Sequence, residues 1–575
     1  MKADLFLFGF IILLMPLSAI SQPYTPQQYD VVIDEIMADP SPQVALPANE
    51  WIELKNTSGG VINLSGWKIG SASGQSGPMP GFALLPGGFV ILCATSATTV
   101  MAPFGTAIGI PAFPSIDNVA GVLYLKSPQN RLIHSVNYNN GGYRNELKKK
   151  GGWTLEMIDT HNPCSGNSNW IASTDARGGS PGSKNSVDGI NADKNAPRLL
   201  RAYPTDSMHL TLVFDEPLDS SAVVKPVNFT ISDGIGNPAN IVAVSPLFDR
   251  IILELNTALL RRKVYNITVA NITDCAGNIV RSKNFARVGI PEIAASKNII
   301  INEILFNPIP AATDYVEIYN NSDKIIDLKQ TYIANRNGSN TISSMAQLSG
   351  ESYLLFPKDF MVVTENVSEV KAAYITQNAE AFIEIAAMPV FNDDKGTALL
   401  LNAQGEIADE LSYNSNWHFK LINNPEGVSL ERIDYNAPTQ SADNWHSAAT
   451  AAGYGTPGFR NSQHTINEHI PDEIKLSPEI VSPDNDGQDD FATLDYNFPS
   501  TGYVANITIF DASGRPVRFL KRNALCGTSG SFRWDGLGEK ARQLSIGIYI
   551  VFTEVFNLAG NRKQFKNAIV LARRN

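Results

Sequence analysis

Four cysteines and seven histidines are all that 575 residues offer in the way of soft or imidazole ligands. The cysteines (Cys93, Cys164, Cys275, Cys526) lie far apart, with no CxxC pair and no zinc spacing, so neither a dense disulfide scaffold nor a zinc module is indicated. The histidines (His134, His161, His209, His418, His446, His464, His469) form no H-E-x-x-H and no H-x-x-x-H pair. A Walker loop and a dinucleotide fingerprint in a βαβ setting are missing too. Concentrated positive charge is scarce: the net charge is −11 and the one basic run is Lys148-Lys149-Lys150. Sequence-blind nucleic-acid binding, which works by displacing counterions with clustered Lys and Arg, is therefore disfavoured. Beyond the N-terminus no segment is apolar for the ~20 residues that span a bilayer. Sustained helical periodicity is lacking as well. What the chain has instead is 43% hydrophobic residues, 43 Gly and 34 Pro, the composition of short strands joined by many turns. A domain commonly takes roughly 100–200 residues, so several cores are expected.

Two local readings concern export and thiols. Lys2 precedes the apolar run Leu5–Met15, followed by Pro16 and the small-x-small triplet Ala19-Ile20-Ser21. This is the pattern of a secretory signal over residues 1–21, cleaved before Gln22, and it predicts a secreted or outer-surface protein. Cys93 lies in the apolar run Phe89–Cys93 and is expected as a small buried hydrophobe, with Cys164 its candidate partner should the two meet.

The chain repeats itself. Ile33-Asp34-Glu35-Ile36 returns as Ile301-Asn302-Glu303-Ile304, and Trp51-Ile52-Glu53-Leu54 as Tyr315-Val316-Glu317-Ile318. Thr154-Leu155-Glu156-Met157-Ile158-Asp159 returns as Ser429-Leu430-Glu431-Arg432-Ile433-Asp434. Asn169-Trp170 and Asn444-Trp445 follow at equal distance. The copies close on Gly179-Ser180-Pro181-Gly182 and Gly455-Thr456-Pro457-Gly458, with Asn185-Ser186 and Asn461-Ser462 just beyond. Order and spacing hold throughout, so the duplication is real. Within the blocks, polar and apolar residues alternate: Glu53 and Lys55 point one way, Ile52 and Leu54 the other. Turns such as Asn56–Gly60, Ser127–Asn130 and Asn402–Gly405 separate the strands, and the hairpins predict β-sandwiches. A short helix is expected at Val367–Tyr374.

On these blocks the chain resembles the bacterial lamin tail domain, an immunoglobulin-like sandwich shared with nuclear lamins. Leu64-Ser65-Gly66-Trp67 fits that family, whereas the second copy carries Leu328-Lys329-Gln330-Thr331 there. The resemblance implies accessory modules of secreted bacterial proteins, including some nucleases and other hydrolases. Between the copies, Phe214-Asp215-Glu216-Pro217-Leu218 and Asp274-Cys275-Ala276-Gly277-Asn278 resemble the strand end and turn of bacterial Ig-like domains of surface-layer and adhesive proteins. The last stretch, with Ile507–Asp511, Phe532–Gly536 and Gly547–Val551, resembles the Ig-like domain of flagellar hook-capping proteins and type IX secretion sorting domains. The expected architecture is all-β: a signal peptide at 1–21 and four tandem immunoglobulin-like β-sandwich domains. These are lamin tail domains at 29–188 and 297–463, a bacterial Ig-like domain at 193–290, and a C-terminal Ig-like domain at 476–575.

Candidate sites are few. Asp484, Asp486, Asp489 and Asp490 crowd a turn, an oxygen-rich loop of the kind Ca²⁺ takes. They lack the register and final Glu of an EF-hand loop, and an Asx turn bonding its own backbone is the competing reading. Asp215, Glu216 and Asp219 form a second acidic group, read chiefly as a solvated strand end. Gly178-Gly179-Ser180-Pro181-Gly182 imitates a nucleophile elbow. Pro181, though, has no N–H to give an oxyanion, and Thr456 replaces Ser180 in the second copy. The pairs Glu35/Glu53 and Glu303/Glu317 have the residue type of a glycosidase dyad. Their presence in both copies favours hydrogen bonding common to the fold. Trp170 and Trp445 are expected in the cores rather than as stacking platforms. The sequence thus predicts no catalytic and no cofactor-binding residue. The expected function is an exported, non-enzymatic surface or structural protein that binds an extracellular glycan or protein, through loops such as 70–81 and 101–118. The alternative is an accessory or degenerate secreted hydrolase or nuclease, tethered to nucleic acid or polysaccharide by its lamin tail modules.

Overall fold

A computed structural model describes residues 24–221, 223–310, 312–465, 473–484 and 488–573; the predicted signal peptide lies outside them. The chain divides into two compact units, one of residues up to 202 with 209–257 and 267–286, the other of 203–208, 258–266 and 287–575. Strands make up nearly all the regular structure. The longest α-helix among the described residues is Val367–Ala373, where one was expected; Asn366 caps it by accepting from the N–H groups of Ser368 and Glu369.

In the first unit a six-stranded sheet runs Trp170–Ala172, Leu155–Met157, Val31–Met37, Trp51–Asn56, Phe89–Ala94, Ala107–Ile110. A four-stranded sheet, Leu132–Asn139, Ala120–Lys126, Lys68–Ser71, Gly74–Gln75, faces it. Ile33, Ile52, Leu54, Val90 and Leu92 from one sheet pack on Ile69, Leu123, Leu125 and Ile133 from the other, which makes the sandwich core. Burying each such side chain is worth roughly 1.5–3 kcal/mol. The alternation read from Trp51–Asn56 is present, yet its second face is not solvated. Trp51, Ile91 and Cys93 are covered there by Leu46, Ala97 and Met101, so Glu53 is buried as well. Of the two loops expected to bind, 70–81 is a hairpin with an open tip. The other, 101–118, contributes the strand Ala107–Ile110, which pairs parallel to Phe89–Ala94. Its alternating small and apolar residues extend the sheet edge, and at Gly109 a Cβ would sit 2.8 Å from the Thr95 Cα.

The same unit holds much of the intervening module. His209–Phe214 pairs antiparallel with Arg250–Glu254, and that strand with Asn240–Ala243. Phe229 and Ile231 stand opposite Val269 and Ile267. Cys164 is disulfide-bonded to Cys275, with the two Cα atoms 6.4 Å apart. This corrects the pairing of Cys164 with Cys93: Cys93 sits on the six-stranded sheet, fully buried and free. Ser135 Oγ adds a 2.6 Å bond to the Pro246 carbonyl.

The second unit repeats the plan. Its six-stranded sheet runs Phe382–Glu384, Phe360–Thr364, Tyr315–Asn320, Ile299–Leu305, Leu430–Arg432, Trp445–Ser447. Its partner runs Ile342–Gln347, Thr331–Arg336, Lys395–Asn402, Ile407–Asn414. Even the irregularities agree: the register shifts between Ile33 and Glu35 and again between Ile301 and Glu303. Such a bulge re-aims the side chains around it. The departing segment Leu328–Gln330 is a 3-10 turn, with Asp327 accepting from the Lys329 N–H. Further along, Glu473–Ser477, Ala492–Asn497 and Ser529–Trp534 form one sheet. Ile480–Val481, Arg562–Leu571, Gly547–Phe556, Val504–Asp511 and Pro516–Leu525 form another. Leu494, Phe532 and Trp534 meet Ile507, Ile509, Val551 and Ile569 between them.

Candidate functional site

Three glutamates stand side by side across neighbouring strands in each copy. Glu35 is opposite both Glu53 and Glu156; Glu303 is opposite both Glu317 and Glu431. All six are 0% exposed. A buried carboxylate without donors costs several kcal/mol, so what satisfies these groups decides their role.

In both copies the closing segment supplies most of the donors, and in the first copy Glu35 Oε2 and Glu53 Oε1 have none. In the second, Glu303 accepts from Tyr315 OH at 2.6 Å, the Thr456 N–H at 2.9 Å, Thr456 Oγ1 at 2.8 Å and the Ser429 hydroxyl. Glu431 is reached by Thr456 Oγ1 and accepts from Ser462 Oγ and the Gln463 N–H, all at 2.8–2.9 Å. Glu317 accepts from the Gly458 N–H at 2.6 Å and from Asn302 Nδ2 at 2.7 Å. In the first copy Glu35 accepts from Thr154 Oγ1 and the Ser180 N–H, Glu156 from Ser180 Oγ, Ser186 Oγ and the Val187 N–H, and Glu53 from the Gly182 N–H. The G-[ST]-P-G-x-x-N-S signature is therefore a strap whose hydroxyls and amides reach the three carboxyls. Sequence reasoning placed Glu35, Glu53, Glu303 and Glu317 in fold-wide hydrogen bonding. It put them at strand ends and missed Glu156 and Glu431. The signal for those two was the shared [ST]-L-E block.

Burial pushes the carboxyls towards the neutral form: Glu35 and Glu431 rise to about 8, and Glu53, Glu303 and Glu317 are raised as well. A pair of glycosidase carboxyls must flank a sugar. These are covered by their own strap. Ser180, the false elbow, spends its hydroxyl on Glu156 and is 2% exposed.

Two buried histidines, His134 and His418, are structural in the same way. His134 Nδ1 accepts from the Ile33 N–H at 3.0 Å, and full burial lowers its pKa to about 4. His418 is likewise lowered to about 4 by burial; its Nδ1 meets the buried Ser447 hydroxyl at 3.0 Å. Trp170 and Trp445 are core residues. The asparagine before each closes a loop, accepting from the Asp159 and Asp434 N–H groups respectively.

Asp215, Glu216 and Asp219, read chiefly as a solvated strand end, do not converge as a trio among the described residues. Asp215 accepts from Arg198 Nε at 2.7 Å, and Asp219 caps Ser221. The strand end turns Glu216 alone inward, where its carboxyl oxygens meet those of Asp193 and Asp274, all within 4.8 Å of one another. It is the single trio of this kind among the described residues. Asp274 is occupied by the Asn278 N–H and side-chain amide, both at 2.8 Å. Glu216 is raised to about 8 by burial and by the neighbouring Asp193, Asp215 and Asp274. Glu216 also borders a recess of about 680 Å³ in the first unit, with Lys194, Arg198, Asp249 and Asn137. Of the turn at 484–490, Asp486 lies outside the described residues. The Asp484 N–H donates to Asp490 Oδ1 at 3.1 Å and the Ser482 N–H to the Asp489 carbonyl at 2.8 Å.

The sheets, cores and straps define a tandem array of immunoglobulin-like modules. Within it the chain carries two lamin tail domains, matched by the family model Lamin Tail Domain at 25–140 and 292–415, and a Bacterial Ig-like domain matched at 193–286. No curated protein matches the chain. Among solved structures, the chain is similar to the N-terminal part of the bacterial S-layer protein SbsC, at 21% identity, 29% of this chain, 40% of that one and a TM-score of 0.16. PorZ, a surface component of the type-IX secretion system of Porphyromonas gingivalis, is 10% identical over 79% of this chain and 56% of its own, with a TM-score of 0.16. CopC from Methylosinus trichosporium OB3b is 18% identical over 18% of this chain and 97% of its own, with a TM-score of 0.14.

Proposed function

We propose that this is an exported, non-enzymatic surface protein whose tandem sandwiches present loops to an extracellular glycan or protein. One observation carries the reading. The residues with the chemistry of a catalytic pair, repeated in both lamin tail domains, are buried in the fold and accept hydrogen bonds from their own straps. The Cys164–Cys275 disulfide supports export, because such bonds persist in oxidising compartments. Loop-borne binding on a rigid sandwich is the usual division of labour in such modules. The C-terminal module acts in this reading as a type IX sorting domain. Its support is the Ile507–Asp511, Phe532–Gly536 and Gly547–Val551 pattern.

The experiment is retention. Purified full-length protein is applied to glycan and protein arrays and to whole bacterial cells at physiological salt. Saturable retention on a glycan or protein supports the reading, and retention on nucleic acid alone would favour the tethered-nuclease alternative. For the sorting assignment, removal of 476–575 is expected to stop surface delivery in a type IX-competent bacterium.

A further inference from the structure

At the bulge the two copies carry different residues. In the second copy Asn302 Nδ2 donates to Glu317 Oε1 and to Asn461 Oδ1, both at 2.7 Å. Asn461 is itself oriented by two donations at 2.9 Å, to the carbonyls of Asn302 and Arg432. The first copy reproduces this frame. Asn185 Nδ2 donates at 2.9 Å to the carbonyls of Asp34 and Met157, and the Gly182 N–H takes Glu53 Oε2 as the Gly458 N–H takes Glu317 Oε2. The residue between them, however, is Asp34. Both its carboxyl oxygens are buried without a donor, as are Glu53 Oε1 and Asn185 Oδ1. No N–H reaches these oxygens where the second copy has an amide, and Asp34 is 0% exposed.

A metal ion does not resolve this, because among the described residues no three carboxyl groups converge here. A proton does. A protonated carboxyl is the nearest chemical equivalent of a primary amide, one edge donating and the other accepting. We propose that the folded first lamin tail domain keeps a proton on Asp34, that its O–H replaces the Asn302 N–H towards Glu53 or Asn185, and that this proton holds the closing strap 177–188. The groups around Asp34 fit. Glu35 on the same strand, Glu53 on the next, Glu156 beyond and Asp188 at the strap's end are all acidic. Lys55 is the nearby cation and leans towards Asp188, 3.9 Å away, while His134 binds the Ile33 N–H just before Asp34. Burial is the largest influence on Asp34 and raises it to about 7, with Lys55 opposing.

The sign follows from linkage. The unfolded chain releases this proton near the ordinary Asp value, about 4, and the folded chain keeps it to about 7. The stabilisation is complete below about 4 and is lost as pH rises to about 7, by up to about tenfold in the opening equilibrium per pH unit. Other buried carboxyls and His134 titrate too, so the readout is a ratio between variant and parent.

The test is hydrogen exchange by mass spectrometry on the full chain, at pH 5 and pH 8, corrected for intrinsic rates. For peptides covering 177–188, the ratio of strap opening in the parent to that in Asp34→Asn is expected to rise at least about tenfold between the two pH values. A constant ratio would overturn the proposal. Should Asp34→Asn not fold, the reciprocal Asn302→Asp decides: it is expected to give the strap at 455–463 a new pH dependence relative to the parent, and an unchanged ratio would overturn it.

Discussion

Arg432 and Asp409 form a buried ion pair at 2.9 Å, with side chains 1% and 6% exposed, and the first copy has Met157 and His134 in their places. Asp409 Oδ2 accepts from the Ile301 N–H just as His134 Nδ1 accepts from Ile33, so the backbone bond survives while its acceptor changes. Burial shifts both members of the pair towards neutrality, Asp409 up and Arg432 down, which marks desolvation as the stronger force.

Removing one partner is therefore expected to cost far more than exchanging both. Asp409→Ala leaves Arg432 uncompensated and should lower the stability of the second lamin tail domain by about 3–5 kcal/mol. The double change Asp409→His with Arg432→Met installs the first copy's pair and should recover most of that. Denaturant unfolding of the three proteins measures it.

The strap makes its own prediction. Thr456→Val keeps the shape and removes the hydroxyl shared by Glu303 and Glu431. Loss of about 1–3 kcal/mol is expected, with Thr456→Ser close to the parent because Ser180 Oγ makes the corresponding bond to Glu156 in the first copy. Thermal unfolding of both variants is the check.

His134 predicts acid sensitivity. Its folded pKa of about 4 is depressed from 6.5, so its contribution is present above about 6.5 and is lost as pH falls towards about 4. His134→Gln retains an acceptor for the Ile33 N–H. The difference in stability between parent and variant should then move in the parent's disfavour over that window. Unfolding at a series of pH values reads it directly.

The disulfide assignment is tested by counting thiols. Native protein should resist alkylation, since Cys93 and Cys526 are both buried. Denatured, unreduced protein should take label at those two, and reduction should add Cys164 and Cys275. Cys164→Ser should cost about 2–4 kcal/mol in the first unit.

Much of this was legible before the fold was known. Alternation in Trp51–Asn56 marked a strand, because successive side chains of a strand point to opposite faces. The duplicated Ile-Asp/Asn-Glu-Ile block marked a structural unit. Other features were not legible, for one common reason: they depend on what long-range folding brings together. Nothing local says that Glu53 will be covered by a strap more than a hundred residues later. The Cys164–Cys275 pair and the Asp193–Glu216–Asp274 trio likewise join residues that the linear order keeps apart. The strand Ala107–Ile110 was hidden because a parallel edge partner leaves no hairpin turn to announce it.

The claim at the centre is that the repeated carboxyls build the fold and transform no substrate. Full-length protein, folded by circular dichroism, should be incubated with DNA, aryl esters and polysaccharides, and product followed by chromatography. Product formation no faster than in buffer is predicted. Turnover that co-purifies with the folded chain, and disappears in a Glu303→Gln or Glu35→Gln variant that still folds, would contradict it.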